Sequence, residues 1–410
     1  MKKLLLVLAA AAVLCLSITG CGQKTEHSDT DSWAIYWYLC GSDLESWYGC
    51  AGADLEEMLE VDLPENLKVV IQTGGAMQWS REDIKADRIG RWIYDSKGFR
   101  LLEELPQANM GQTETLASFL EFCTANHPAD HTMVLFWNHG GGSVTGAEFD
   151  ANYYFDALTL DEFHTAFSQV YDLDVGAPPV DVIGFDACLM ATVDTASTFR
   201  DIGRYLVASE ELEPGNGWYY SDWLQALAAD PTMDGEALGR AICDAYQRGC
   251  ELAGTGEDIT LSVTDLSRIG PLLEAYNELG THALVETVSV PEFYTAFSRG
   301  ALDSESYGGN TEKQGYTNMT DLGHLVRNNR HLLSESADKV LSALDECVLY
   351  RVSGPYRSQA TGLSCYYSYS GDLNNFVDYT EVGCSEGFKY LYAYGLSGKV
   401  SDAGMEYIQS

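Results

Sequence analysis

Beyond the first thirty or so positions, short unbroken apolar runs alternate with stretches whose apolar positions recur every three or four residues. The runs Trp33–Leu39, Leu67–Gln72, Met133–Trp137, Val180–Phe185, Tyr205–Ser209 and Ile259–Val263 predict strands. The recurrences over Thr113–Asn126, Leu160–Val170, Leu189–Arg200, Gly235–Arg248 and Leu266–Leu279 predict amphipathic helices. A strand with no polar alternation must be covered on both faces, so strands of this kind between helices predict an α/β fold: a largely parallel central sheet in an α/β/α sandwich. Arg91–Tyr94 and Phe99–Leu102, with Ser96-Lys97-Gly98 between them, read as a hairpin. After about residue 265 the pattern loosens. Asp303–Thr320 is polar and rich in Gly, Ser, Asn and Tyr, a surface loop by composition, and Thr361–Tyr367 reads as one more strand. Residues 33–265 are therefore taken as the main domain and 266–410 as a C-terminal subdomain packed on it.

The N-terminus follows another logic. Lys2 and Lys3 precede an apolar run, Leu4 to Leu16, that is too short for a spanning helix and reads as an export signal. It runs into Ile18-Thr19-Gly20-Cys21, which resembles the lipobox of bacterial lipoproteins, and a polar stretch follows. The expectation is a signal peptide over 1–20, a lipid on Cys21 and a tether over 21–32. A protein of that kind stands at the outer face of the cell membrane, held on the bacterial membrane by its lipid anchor alone.

Composition narrows the partners. With 24 Lys and Arg against 61 Asp and Glu, the formal net charge is −37. Such a surface excludes the nucleic-acid backbone as a partner and attracts cationic ligands. The 11 cysteines show no paired spacing of a zinc site. Cys243 and Cys250, seven residues apart on one predicted helix, stand about 10 Å apart, too far to bridge. His127 and His131 have the i, i+4 spacing of a metal pair, but Pro128 breaks the helix that would align them. No metal site is expected, and no cofactor is required.

Two predicted strands end in reactive residues. Met133–Trp137 runs into Asn138-His139-Gly140-Gly141-Gly142, and Val182–Phe185 into Asp186-Ala187-Cys188. Ligands of parallel sheets bind at the carboxyl ends of strands, so neighbouring strands bring His139 and Cys188 to one crevice. A thiolate is the nucleophile, and Leu189 onward reads as a helix whose N-terminus lowers the thiol pKa. His139 would supply acid–base help, and the N–H groups of Gly140 and Cys188 would receive an oxyanion.

The blocks Asn138–Gly142 and Gly184–Met190 resemble the two catalytic blocks of clostripain-type cysteine peptidases, of the caspase–gingipain–legumain group of folds. Ala208–Trp218 resembles the block that shapes their specificity pocket. The resemblance spans about residues 33–265 and extends weakly to Thr361–Tyr367. It implies a caspase-like fold and an endopeptidase acting on peptides or proteins after Arg or Lys, with Cys188 and His139 as its dyad. It places Asp186 in the pocket, and Ser209, Glu210, Glu211, Glu213 and Asn216 become candidates for the rest of it. It leaves calcium open as a cofactor. An inactive surface lipoprotein that uses the same fold for binding is the alternative. No Lys or Arg lies between Arg100 and Arg200, an interval containing both His139 and Cys188. An enzyme specific for basic residues finds no bond of its own type there, and the loop 140–156 is expected to be the exposed place for a cut by another protease.

Overall fold

The computed structural model describes residues 31–174 and 176–409. The signal run, Cys21 and nearly all of the tether lie outside the described residues. A nine-stranded sheet forms the centre, built from β1 (Trp33–Cys40), β2 (Leu67–Gly74), β3 (Arg88–Asp95), β4 (Gly98–Pro106), β5 (His131–Trp137), β6 (Val180–Asp186), β7 (Gly203–Ala208), β8 (Thr260–Asp265) and β9 (Val348–Ser353). Its order is β9-β8-β7-β6-β5-β1-β2-β3-β4. From β7 to β2 neighbours run parallel. Both flanks are antiparallel. The expected hairpin is β3–β4, and residues after 265 return β9 to the far edge.

The unbroken apolar strands have the cause expected of them. Along β1, Ala34, Tyr36, Tyr38 and Cys40 enter one buried cluster while Trp33, Ile35, Trp37 and Leu39 enter the other. Side chains alternate across a strand, so a strand covered on both faces can spare no position for water. On one face lie α3 (Thr113–Asn126), α4 (Leu160–Val170), α5 (Val193–Thr198) and the helix Ile269–Ser289. On the other lie α2 (Cys50–Leu59), just after α1 (Ser42–Tyr48), and the helices Tyr220–Ala229 and Gly235–Ala253.

Three expectations are corrected. The helix anticipated from Leu189 begins only at Val193, because Thr192 is its cap: the Thr192 hydroxyl accepts the Thr195 N–H. Leu189 instead takes a left-handed φ of 65°. The segment 140–156 is not an open loop. It folds into a short helix, Gly142–Thr145, and a small hairpin of Ala147–Asp150 with Asp156–Leu158, burying Ser143, Ala147, Glu148 and Asp150. Between the two strand ends, exposed positions include Tyr154 and Phe155 at the tip of that hairpin and Asp172, Asp174, Gly176 and Ala177 further on. Within 303–320, short paired strands replace the open loop, and Met319–Asp321 is buried against Ser364–Tyr366.

Candidate active site

The register of the parallel strands decides what meets at their carboxyl edge. Leu39 of β1 pairs with Trp137 of β5, and Trp137 pairs with Asp186 of β6. His139 and Cys188 therefore each stand two residues beyond one aligned pair on neighbouring strands. Both line one cavity of about 200 Å³, with Leu44, Asp54, Asp186 and Glu213 among its other walls.

Asn138 fixes the histidine loop. Its Oδ1 accepts the N–H groups of His139 (2.5 Å) and Phe149 (3.0 Å), and its amide donates to the Cys40 carbonyl of β1. Gly140 is required sterically: a Cβ there would lie 2.0 Å from the Cys188 carbonyl oxygen. His139 Nε2 lies 2.7 Å from Asp43 Oδ1, so Asp43 engages one of the two ring nitrogens. Asp43 sits in α1, directly beyond β1, so three adjacent strands each send one residue to this edge.

Cys188 has no helix N-terminus behind it, since Thr192 caps the next helix. What reaches the sulfur is the Glu213 N–H, 3.2 Å away. Burial pushes the Cys188 thiol upward; the Glu213 N–H opposes the rise, and the Glu211 and Asp186 carboxylates add to it.

The cavity wall beside the sulfur is acidic. Asp186 is buried and takes the Tyr220 hydroxyl at 2.7 Å and the Trp218 N–H at 3.3 Å. Burial carries it from its ordinary 3.8 to about 6, against the pull of those donors. Asp54 accepts the Trp137 indole N–H at 2.6 Å, yet burial, then the Asp186 charge, holds it well above the ordinary range. Glu213 is raised in the same way, by burial and then by Asp186, and no N–H of the protein donates to its buried oxygens. Gly217 keeps the floor open: at φ 54°, a Cβ there would stand 3.1 Å from Asp54 Oδ2 and 3.2 Å from Asp186 Oδ2. Three carboxyl groups thus share one pocket without an ion-pair partner among the described residues, which is costly unless a cation arrives.

Of the candidates on the next loop, Glu213 reaches the cavity and the other four do not. Ser209 bonds the Glu211 carbonyl and Thr260. Glu210 accepts the Gly362 N–H, deep between the sheet and the C-terminal residues. Glu211 holds the Leu212 and Gly308 N–H groups and pairs with Arg357 at 2.5 Å. Asn216 turns away to Thr255 and the Cys250 thiol. All four are spent on holding the loop that delivers Glu213. The sequence reading missed Asp54 and Asp43. The signal for Asp43 was its place just after the strand Trp33–Leu39, at the edge where the other two strands end.

Among the described residues no group of three or more His, Cys, Asp or Glu is arranged to hold a metal ion, and nine cysteines are free thiols, Cys243 and Cys250 among them. No helix among them is long and apolar enough to cross a membrane.

The model of the clostripain family matches residues 37–374. The chain is 30% identical to clostripain of Hathewaya histolytica over 320 residues, 67% of this chain and 60% of that one, so it spans well under two thirds of that relative. Two solved structures share the fold. A secreted C11 cysteine protease from Bacteroides thetaiotaomicron, in complex with an irreversible peptide inhibitor, matches with TM-score 0.64 and 18% identity over 88% of this chain and 99% of its own. An inactive zymogen C11 protease from Parabacteroides distasonis matches with TM-score 0.64 and 18% identity over 86% and 99%. With the family model covering most of the chain, and two strand-end residues of the right chemistry meeting over one pocket, the chain belongs to the clostripain family of cysteine peptidases.

Proposed function

We propose that this protein is a cysteine endopeptidase that cuts after Arg or Lys, with Cys188 as nucleophile and His139 as its acid–base partner. The observation that carries the reading is the pocket of Asp54, Asp186 and Glu213 beside the Cys188 sulfur, an acid cluster awaiting a cation. A guanidinium or ammonium head entering there gains charge-assisted hydrogen bonds and brings the following carbonyl over Cys188. His139 takes the thiol proton, and the sulfur attacks the carbonyl carbon. The N–H groups of Gly140 and Cys188 receive the oxyanion. His139 then protonates the departing amine and activates the water that releases the acyl group. Asp43 holds the imidazole in orientation. The reaction as drawn needs no metal.

We propose also that the protein is exported and anchored by lipid on Cys21 at the outer face of the cell membrane. The charged start, the short apolar run and Ile18-Thr19-Gly20-Cys21 support this.

The test is covalent. A peptidyl-Arg acyloxymethyl ketone should label the purified protein on Cys188, and Cys188→Ala should remove both label and turnover while the thermal unfolding curve stays in place. A properly folded protein that resists the label and cleaves no peptide would instead favour a binding lipoprotein.

A further inference from the structure

A ridge of large apolar side chains stands outside the cavity on the His139 side. Trp47 is 68% exposed, Tyr48 73%, Met77 58%, Tyr154 98% and Phe155 44%. They come from three segments bound to one another. The Met77 N–H donates to Ser46 Oγ at 2.8 Å, and the Asn152 amide donates to the Ala76 carbonyl at 3.1 Å. The Ala151 N–H donates to the Gly75 carbonyl at 3.1 Å, and the turn Ala151–Tyr153 packs on α1. Tyr154 and Phe155 each take a left-handed φ of 60°, a conformation that non-glycine residues hold only where the surroundings impose it. Five large exposed apolar side chains on three segments tied together by hydrogen bonds, on a protein so strongly charged, mark a contact site.

Its occupant follows from continuity with the cavity. Leu44 lines the cavity, and Trp47 and Tyr48 stand at i+3 and i+4 from it, so one face of α1 runs from the cavity out to the ridge. Asp43, on the same helix, holds the imidazole. His139 hands its proton to the departing amine, so the chain carrying that amine leaves past His139 and over α1. We infer that Trp47, Tyr48, Met77, Tyr154 and Phe155 form the subsite for large apolar residues on the carboxyl side of the scissile bond. This rests on the peptidase reading above and adds to it a second determinant: a basic residue before the cut, aromatic or aliphatic residues after it. The ridge binds side chains that the acidic pocket would reject, and a basic substrate that lacks them forgoes this contact.

The experiment compares three substrates sharing one sequence up to Arg: an Arg chromogenic amide with nothing beyond the cut, a peptide continuing Ala-Ala-Ala, and one continuing Leu-Phe-Ala. Wild-type enzyme should favour the Leu-Phe peptide over the Ala peptide by at least tenfold in kcat/KM. Trp47→Ala combined with Tyr48→Ala, and separately Tyr154→Ala, should bring that ratio near one while the chromogenic amide is cleaved within twofold of wild type. Surface truncations of this kind leave the core untouched, and an unchanged amide rate shows that the variants are folded. The inference is overturned if the ratio persists in the variants, or if all three substrates lose rate together. It is overturned equally if the variants lose only adsorption to phosphatidylglycerol–phosphatidylcholine vesicles, which would make the ridge a lipid contact. A wild-type enzyme that prefers a Leu amide to an Arg amide refutes the basic pocket alone. The leaving-side comparison is then run after Leu and decides the ridge by itself.

Discussion

Replacing Asp186 by Asn should make the protein more stable and a poorer enzyme. Burial holds the Asp186 carboxyl near 6 against 3.8 for the free group. Between those two values the native protein keeps a proton that the unfolded chain gives up, so this group's contribution to stability falls as pH rises through that window. The full difference, at 1.36 kcal/mol per pH unit, is about 3 kcal/mol, carried as a cost at every pH above the window. Asn fills the same space, offers an oxygen to the Tyr220 hydroxyl and the Trp218 N–H, and brings no charge. Its weaker acceptor returns part of the gain, so Asp186→Asn should exceed wild type by about 1–2 kcal/mol at pH 8 and converge with it near pH 4. Against a substrate cation the change runs the other way. The lost charge-assisted bond is worth about 1.5–3 kcal/mol, roughly 10- to 150-fold in kcat/KM for Arg and Lys peptides, while a Leu peptide should be cut no more slowly than by wild type, since the same change removes a charge that raises the Cys188 thiol. Thermal unfolding at pH 4, 6 and 8, and kcat/KM on the Arg, Lys and Leu series, measure both halves. A variant that unfolds earlier at pH 8 and keeps the wild-type ratio of Arg to Leu cleavage would refute the reasoning.

The remaining expectations are briefer. Asp43→Asn should lower kcat about tenfold with KM within twofold, because the pair with His139 is half open to water and only positions the ring; a fall in melting temperature with kcat intact would make Asp43 merely structural. Agmatine, a guanidinium ligand with no bond to cut, should speed alkylation of Cys188 by iodoacetamide by supplying positive charge beside the sulfur, and protection in its place would defeat that view. Active enzyme should run as one polypeptide on a denaturing gel, since no Lys or Arg lies between Arg100 and Arg200. A pair of fragments that appears in wild type and not in Cys188→Ala, with a new N-terminus between 140 and 187, would overturn this together with the basic specificity.

The sequence disclosed what local chemistry imposes. Thr113–Asn126 and Leu160–Val170 were readable to the residue, because their apolar period and the Thr159 capping box are local facts. The strands of the central sheet were readable because burial on both faces leaves no polar alternation to confuse them. The β3–β4 flank was readable as a hairpin, but the far edge was harder: β9 pairs with β8 across 83 residues or more, and no local pattern carries such a register. The helix after Cys188 was misplaced because Leu189, Met190 and Ala191 are apolar for another reason. They are buried beneath the nucleophile loop, where Leu189 donates to the Glu211 carbonyl and Ala191 to that of Ser209. The pocket acids were half visible. Asp186 and Glu213 lie in motifs near the nucleophile, whereas Asp54 arrives from a helix more than 130 residues earlier, and only the sheet order β6-β5-β1 brings it in.

That order also explains how a thiol can serve among so many acids. Without a helix dipole, Cys188 has the Glu213 N–H and its own backbone in its favour, and burial with two carboxylates against it. In the empty enzyme the balance lies with the thiol. Of the two carboxyl groups that raise it, Asp186 lines the pocket proposed for the substrate, and beside it Glu213 lines the same pocket and presents its N–H to the sulfur. A basic side chain entering the pocket cancels the Asp186 charge and adds a positive one beside Cys188. That lowers the cost of the thiolate, and for a buried group a change of one pH unit in pKa is a tenfold change in the reactive fraction. A neutral side chain does neither. Discrimination between basic and neutral substrates then acts twice, once in binding and once in generating the nucleophile, so it should appear in kcat as well as in KM. On this account the acidity that raises the Cys188 thiol in the empty enzyme would make it a selective nucleophile.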